Sequence, residues 1–311
     1  MNSMSSMSRM NSTSSPTRAL LAIIGGGNMA KAIVLGAIEA KLLAPFEMLI
    51  VEPDATKRRQ FASWGLGAFE TAAEALARLL PPQPRAARGA EADPFDTRTG
   101  LAAAGGQILL AVKPQALPDI ASKLAPLLAA NPRVVMSILA GTPIANIRAA
   151  FNAPELPVIR LMPNTPARLR KGMTAMSVAP GLAPGEAQFA HDLFVSLGEV
   201  VKIDESLMDA YTALAGSGPA YVFYLAQAMI AAAQELGFDR ISADRIVRQT
   251  IGGSAALLSE SAEPPEALRA AVTSKGGTTE AACQILDDRA VMRAVADAIA
   301  AGRDRGRQLA R

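Results

Sequence analysis

The stretch Leu21-Ala-Ile-Ile-Gly-Gly-Gly-Asn-Met-Ala30 restricts what this chain can become more than any other. Four apolar residues run straight into three glycines, and a helix-forming segment follows without a spacer. Gly25, Gly27 and Ala30 stand in the order G-x-G-x-x-A. In a strand-turn-helix setting the first glycine allows the turn, the second lets backbone approach a pyrophosphate, and the small third residue lets helix pack on strand. The anion then rests on the helix N-terminus, where unpaired N–H groups and the helix dipole favour negative charge. An ordinary glycine-rich turn would share these letters without the strand and helix that flank them. The expectation is a dinucleotide-binding α/β unit, with Ile24, Gly25, Gly26, Gly27, Asn28 and Met29 against the cofactor.

Residues 1–18, rich in Ser, Met and Asn, hold no apolar run of signal-peptide or membrane-span length and read as a disordered tail. After a helix over about 29–40, Met48–Val51 reads as a second strand that ends in Glu52. An acid at that place bonds the ribose hydroxyls of NAD and repels the extra phosphate of NADP. Yet Lys57, Arg58 and Arg59 follow closely enough to neutralise that phosphate, which leaves NADPH and NADH both open. Residues 61–80 read as a short strand region and a helix. Pro82, Pro84, Gly89, Pro94, Gly100 and Gly105 then mark 82–105 as a flexible insertion. Ile108–Val112, Val134–Ile138 and Val158–Met162 read as buried strands that stop at Lys113-Pro114, Leu139-Ala140-Gly141 and Pro163-Asn164-Thr165-Pro166. Parallel sheets gather ligand contacts at such strand ends, so the three describe one rim of a crevice. Residues 173–178 and 199–203 look like further strands, and only helical patterns follow Asp204.

A chain of 311 residues suggests about two domains. Aromatic residues are only 4% and alanine dominates the second half, which suits close-packed helices better than an all-β fold, so the fold class is α/β followed by all-α. The net charge of +3 is small and the arginines are interspersed with acids, which gives no nucleic-acid face. The single cysteine, Cys283, excludes an internal disulfide, fits a reducing, cytoplasmic setting and reads as a small buried hydrophobe. The single histidine, His191, reads as a satisfied or solvated helix residue, and one of each permits neither a histidine-based triad nor a metal cluster. From Ala220 to Ala233 only Gln227 is strongly polar. A helix apolar all round must be buried on every side, and the second half has too little core to surround it. It therefore belongs in a subunit interface, as part of an intertwined dimer.

Val272-Thr-Ser-Lys-Gly-Gly-Thr-Thr-Glu280 is the one polar, glycine-bearing stretch of this half that opens a helix. Gly276 and Gly277 free the backbone to curl, Thr278 and Thr279 can cap the helix, and exposed N–H groups form a cradle for a small anion such as a carboxylate. A plain capped helix start is the other reading of the same residues. The stretch resembles the V-T-S-P-G-G-T-T signature of pyrroline-5-carboxylate reductases. Ile24 to Ala30, Ala111 to Gln115, Ser137 to Gly141, Arg160 to Pro166 and Ala215 to Tyr221 resemble further blocks of that family, in its order.

The resemblance implies a Rossmann domain over 19–203 and a helical dimerisation and substrate-binding domain over 204–311. It implies reduction of the cyclic imine 1-pyrroline-5-carboxylate to L-proline with NADPH or NADH, the last step of proline biosynthesis. Intertwined dimers, often assembled as pentamers of dimers, are implied too, with no membrane or nucleic-acid partner. In site terms, Thr279 would be the catalytic hydroxyl at the substrate nitrogen, while Ser274, Gly276 and the N–H groups of Gly277 and Thr278 would hold the carboxylate. Backbone at Ala111, Val112, Lys113 and Pro114, at Ile138, Leu139 and Ala140, and at Asn164 would line the nicotinamide. The chain departs from the family pattern where Lys275 replaces proline, where 82–105 is longer than usual, and where Glu52 stands in place of a small polar residue.

Such a reduction needs a hydride on the C=N carbon and a proton on nitrogen. A protonated iminium is already electrophilic, so the cofactor carries the hard step and the protein supplies position and electrostatics. A hydroxyacid dehydrogenase of the same two-domain build would need a lysine and an asparagine on its long helix. No asparagine follows Asn164, and the only lysine after Lys202 is Lys275. Two alternatives stay open: a related cyclic imine such as the six-membered homologue, and a non-catalytic NAD(P)-binding scaffold, against which the intact Gly276-Gly277-Thr278-Thr279 argues.

Overall fold

The computed structural model describes residues 19–81, 95, 106–182 and 185–309. Strand β1 (Leu21–Ile24) turns through the glycines into helix α1 (Asn28–Glu39), and β2 (Met48–Val51) lies parallel beside β1. Helix α2 (Ala55–Ser63) starts at Asp54, whose carboxylate accepts the N–H groups of Thr56 and Lys57. Phe61, expected near the head of a strand region, instead lies in α2, fully buried beneath the glycine turn. Strand β3 (Gly67–Phe69) and helix α3 (Ala72–Leu76) complete this half.

Strands β4 (Gln107–Leu110), β5 (Val135–Ser137) and β6 (Val158–Met162) continue the sheet, with α4 (Leu117–Ala130) and α5 (Ile144–Ala150) as crossovers. Strand β7 (Gly172–Val178), helix α6 (Gln188–Val195) and β8 (Gly198–Lys202) extend one edge. The strand order is β3-β2-β1-β4-β5-β6-β7-β8, parallel from β3 to β6, with β7 antiparallel to β6 and β8 parallel to β7. Every residue of β1, β2 and β4 is buried, as expected of parallel strands covered on both faces. Sequence order reverses between β1 and β4, and a doubly wound sheet opens its ligand crevice beyond the carboxyl ends of the strands at such a point.

Helices alone follow: α7 (Met208–Tyr211), α8 (Gly218–Glu235), α9 (Arg240–Glu260), α10 (Pro265–Ala271), α11 (Thr278–Asp288) and α12 (Val291–Leu309). A π-helical turn, Thr212–Gly216, separates α7 from α8, with the Ser217 N–H donating five residues back to the Thr212 carbonyl at 2.8 Å. Among the described apolar residues after 204, only Met208, Ala213, Ala243 and Val247 are buried. Helix α8 buries none of its residues, and Phe223 and Tyr224 are 67% and 75% exposed. The sheet domain thus closes a core of its own, while the helical domain presents its apolar surface outward.

The expected tail 1–18 and insertion 82–105 lie outside the described residues, Phe95 excepted. That ring sits 3.2 Å under the Lys202 ammonium and edge-on to His191, whose Nδ1 is 3.4 Å from Asp192 Oδ1. Cys283 is half-buried on α11 rather than enclosed, a correction that follows from how little of the helical domain is buried. No helix among the described residues is long and apolar enough to cross a membrane.

Candidate active site

The glycine turn is shaped by its neighbours. Gly25 has φ +104°, and a Cβ there would stand 2.8 Å from both the Ala111 carbonyl and Val112 Cγ1, so β1 and β4 can meet only over glycine. A Cβ on Gly26 would meet Phe61 at 2.9 Å and Glu52 at 3.0 Å. Gly27 differs: its φ is −73°, which any residue adopts, and a Cβ there would meet nothing within 4 Å. Nothing among the described residues demands glycine at that position. The open space lies at the N-cap of α1, where no side chain caps the helix and no acid occupies the first turn. A dinucleotide pyrophosphate fits these features, since it would fill the space beside Gly27 and take the free N–H groups.

Glu52 is buried at 6% exposure at the end of β2 and turns inward. Its Oε2 accepts the Gly26 N–H at 2.7 Å and its Oε1 the Asp54 N–H at 3.0 Å. The three cations after it are engaged. Lys57 lies 3.8 Å from Glu52, Arg58 donates to the carbonyls of Glu52 and Pro53 and to Glu70, and Arg59 donates to the Thr56 hydroxyl. Asp54 adds a second acid, its carboxyl held below the usual range by the N–H groups of Lys57 and Thr56. Across the crevice mouth stand Lys113 and Pro114 after β4, Ile138, Leu139 and Ala140 after β5, and Asn164 after β6.

The second landmark shares no hydrogen bond with the first among the described residues. The hydrogen bonds around Ser274 to Glu280 stay within the segment, and Ser274, Lys275, Gly276 and Thr278 are exposed. Two expectations are corrected here. Gly277, not a threonine, is the N-cap of α11, because the turn closes when its N–H donates to the Ser274 carbonyl at 3.0 Å. That bond also removes the Gly277 N–H from the donors for a carboxylate. A Cβ on Gly277 would stand 2.9 Å from the same carbonyl, so the residue is fixed by packing. The Gly276 N–H, in a backbone with φ +72°, is likewise taken, by Glu280 Oε2 at 2.7 Å. Thr278 and Thr279 occupy the first turn proper, where N–H groups have no partner within the helix. The Thr279 hydroxyl, half-buried, finds no hydrogen-bond partner among the described residues.

A family model described as pyrroline-5-carboxylate reductase dimerisation matches residues 205–309, and one described as NADP oxidoreductase, coenzyme F420-dependent, matches residues 20–79. The pyrroline-5-carboxylate reductase of Synechocystis sp. is 35% identical to this chain, over 93% of it and 97% of the relative. The chain belongs to the pyrroline-5-carboxylate reductase family. The reductase of Pseudomonas aeruginosa is 34% identical over 93% of the chain and 96% of its own length. The solved structure of a pyrroline-5-carboxylate reductase from Coxiella burnetii superposes with a TM-score of 0.77 at 26% identity, over 94% of this chain and 99% of that one. As a member of this family the protein is an NAD(P)H-dependent oxidoreductase with a Rossmann-type sheet domain, and its helical domain serves self-association.

One set of residues escaped the sequence reading. Arg160, 4% exposed at its side chain, pairs with Glu205 at 3.1 Å and Asp209 at 3.7 Å, and Glu205 also accepts the Ile144 N–H at 2.7 Å. The signal was present, since an arginine inside an otherwise apolar strand requires acids brought to it. Only the pairing partners, 45 and 49 residues further on, were not readable.

Proposed function

We propose that this protein reduces the C=N bond of 1-pyrroline-5-carboxylate to give L-proline, with NAD(P)H bound along Gly25 to Met29 as hydride donor. The observation that carries the cofactor half of this reading is the empty space beside Gly27, which no described part of the chain fills. The glycine turn would hold NAD(P)H there, and the chemistry the cofactor would supply is a hydride for the imine carbon. Backbone at Ala111 to Pro114, Ile138 to Ala140 and Asn164 would line the nicotinamide. The free N–H groups of Thr278 and Thr279, with the Ser274 hydroxyl, hold the substrate carboxylate. Thr279 places its hydroxyl on the ring nitrogen and orients the iminium whose proton remains there as the amine forms. Glu52 and Asp54, with Arg58 tied away, disfavour a 2′-phosphate, so NADH is the preferred donor.

The substrate segment makes its bonds internally and stands exposed, and the helical domain leaves its apolar faces uncovered. Both features support a site completed between subunits, with the crevice of one facing the Thr279 segment of its partner. Assembly of such dimers into a pentamer of dimers accords with the exposed surface that remains. Mixing subunits tests this. A Gly27→Val chain contributes a sound Thr279 segment, and a Thr279→Ala chain a sound crevice. Refolded together, the two impaired variants should recover about a quarter of wild-type activity, since half of the dimers are hybrid and each holds one intact site. No recovery in verified hybrid dimers would place both halves of the site in one chain.

A further inference from the structure

Alternate residues share one face of a strand, and three of them along β6 and its extension, Arg160, Met162 and Asn164, meet the segment leading into the interface helix. Arg160 pairs with Glu205 and Asp209. Met162 Cε lies 3.0 Å from where a Cβ on Gly216 would stand. Asn164 Nδ2 donates to the Ala215 carbonyl at 3.1 Å, and its Oδ1 accepts the Met173 N–H at 3.0 Å. These two bonds fix the amide orientation, because one partner only accepts and the other only donates. Ala215 needs a side-chain donor for a reason written in the sequence: four residues on stands Pro219, which has no N–H. Tyr221 performs the same service for Ala213, its hydroxyl donating to that carbonyl at 2.8 Å. The π-helical turn is thus braced from both sides, and one brace comes from the crevice rim.

We infer that the Asn164 carboxamide is a positioning residue for hydride transfer, locking the nicotinamide end of the crevice to the turn that launches the interface helix. The inference rests on the reaction and the shared site proposed above, because that helix sets the partner's substrate segment opposite the crevice. Hydride transfer requires close, aligned reactants, and displacements of an ångström are costly to rate. Cofactor affinity depends instead on the pyrophosphate at the glycine turn, which the clamp does not touch. Release of the clamp therefore slows chemistry and spares binding.

Asn164→Asp keeps the size and the acceptor for Met173 but lacks the donor for Ala215, and Asn164→Ala removes both. Either change is expected to lower kcat by about tenfold or more while the NADH dissociation constant from fluorescence titration stays within about twofold. With NADH deuterated at the transferring position, the primary isotope effect on kcat should rise, and amide exchange over 212–217 should quicken while the mass by light scattering stays that of the wild type. Adding Pro219→Ala to Asn164→Ala returns a backbone N–H near the Ala215 carbonyl and should restore part of the rate. Unchanged kcat in a folded Asn164→Asp variant overturns the inference. So does a loss of NADH affinity as large as the loss of kcat/KM, which would make Asn164 a cofactor ligand, or dissociation of the oligomer, which would make it structural only. If the wild type reduces no cyclic imine, the proposed reaction itself has failed. Unchanged exchange over 212–217 in Asn164→Ala would separately remove the clamp.

Discussion

Glu52 Oε2 accepts the Gly26 N–H at 2.7 Å, which ties the end of the second strand to the middle of the glycine turn. The carboxylate stands at the end of β2, the place from which an acid disfavours a 2′-phosphate, and the neighbouring arginine is spent on carbonyls and Glu70. Glu52→Ser should therefore raise NADPH affinity relative to NADH, by about tenfold if one close like-charge repulsion of roughly 1.4 kcal/mol is relieved. Competitive titration of both cofactors gives the answer. A wild type that already favours NADPH, unaltered by the change, would assign the choice to Lys57 or Arg59.

The open space at Gly27 predicts a clean separation of binding from folding. Gly27→Val puts a branched side chain where none of the described residues reaches, so the melting temperature should hold while NADH fluorescence enhancement disappears. Unchanged affinity would move the pyrophosphate elsewhere.

Thr279 lies in the first turn of α11 and does not cap it, so Thr279→Ala carries none of the stability cost of a lost cap. If its hydroxyl meets the substrate nitrogen, kcat/KM should fall by about tenfold or more, the equivalent of roughly 1.4 kcal/mol of transition-state binding. Thr279→Ser should recover most of the loss, with NADH affinity constant throughout. Steady-state rates with both five- and six-membered imines would show in addition which ring the site prefers. Wild-type kcat/KM in the alanine variant would remove Thr279 from the chemistry.

Tyr211, just before the π-helical turn, carries a buried hydroxyl with no hydrogen-bond partner among the described residues. Burial pushes its pKa up from 10.0 to about 12. The neutral form is the one the fold accommodates, so its contribution is complete below pH 10.0 and fades as pH rises towards 12. Tyr211→Phe should flatten that alkaline loss and leave neutral-pH stability unchanged or higher by up to about 1 kcal/mol. A loss beyond that in thermal unfolding would mean the hydroxyl is bonded to the backbone of Ala175 beside it.

The sheet domain was legible because its signals are local. Met48–Val51 and Val158–Met162 appear in the fold at the residues where their apolar runs begin and end, and Gly25 next to Ala111 follows from the motif and the strand order. What escaped depends on partners far away in the chain or absent from it. Helix α2 was missed because most of its residues are polar or charged and a single one, Phe61, anchors it to the core. The roles of Gly276 and Gly277 reversed because Glu280 and Ser274 use the N–H groups that the loop would otherwise offer. The side-chain work of Asn164 was invisible because the acceptor it serves is left open by a π-helical turn and a proline 55 residues beyond it, and the acids that Arg160 requires stand 45 and 49 residues further along the chain.

The bare flanks of α8 also bear on how the protein is made. The sheet domain has a core on which it can pack as soon as it emerges from synthesis, but among the described residues the helices behind it have Met208, Ala213, Ala243 and Val247 and little else to collapse upon. The last stage of maturation is then an encounter between two chains, second order in concentration, and the half-finished protein carries apolar helices through the wait. Slow expression, or a partner chain supplied in excess, would change the yield of native protein without altering one contact inside the subunit.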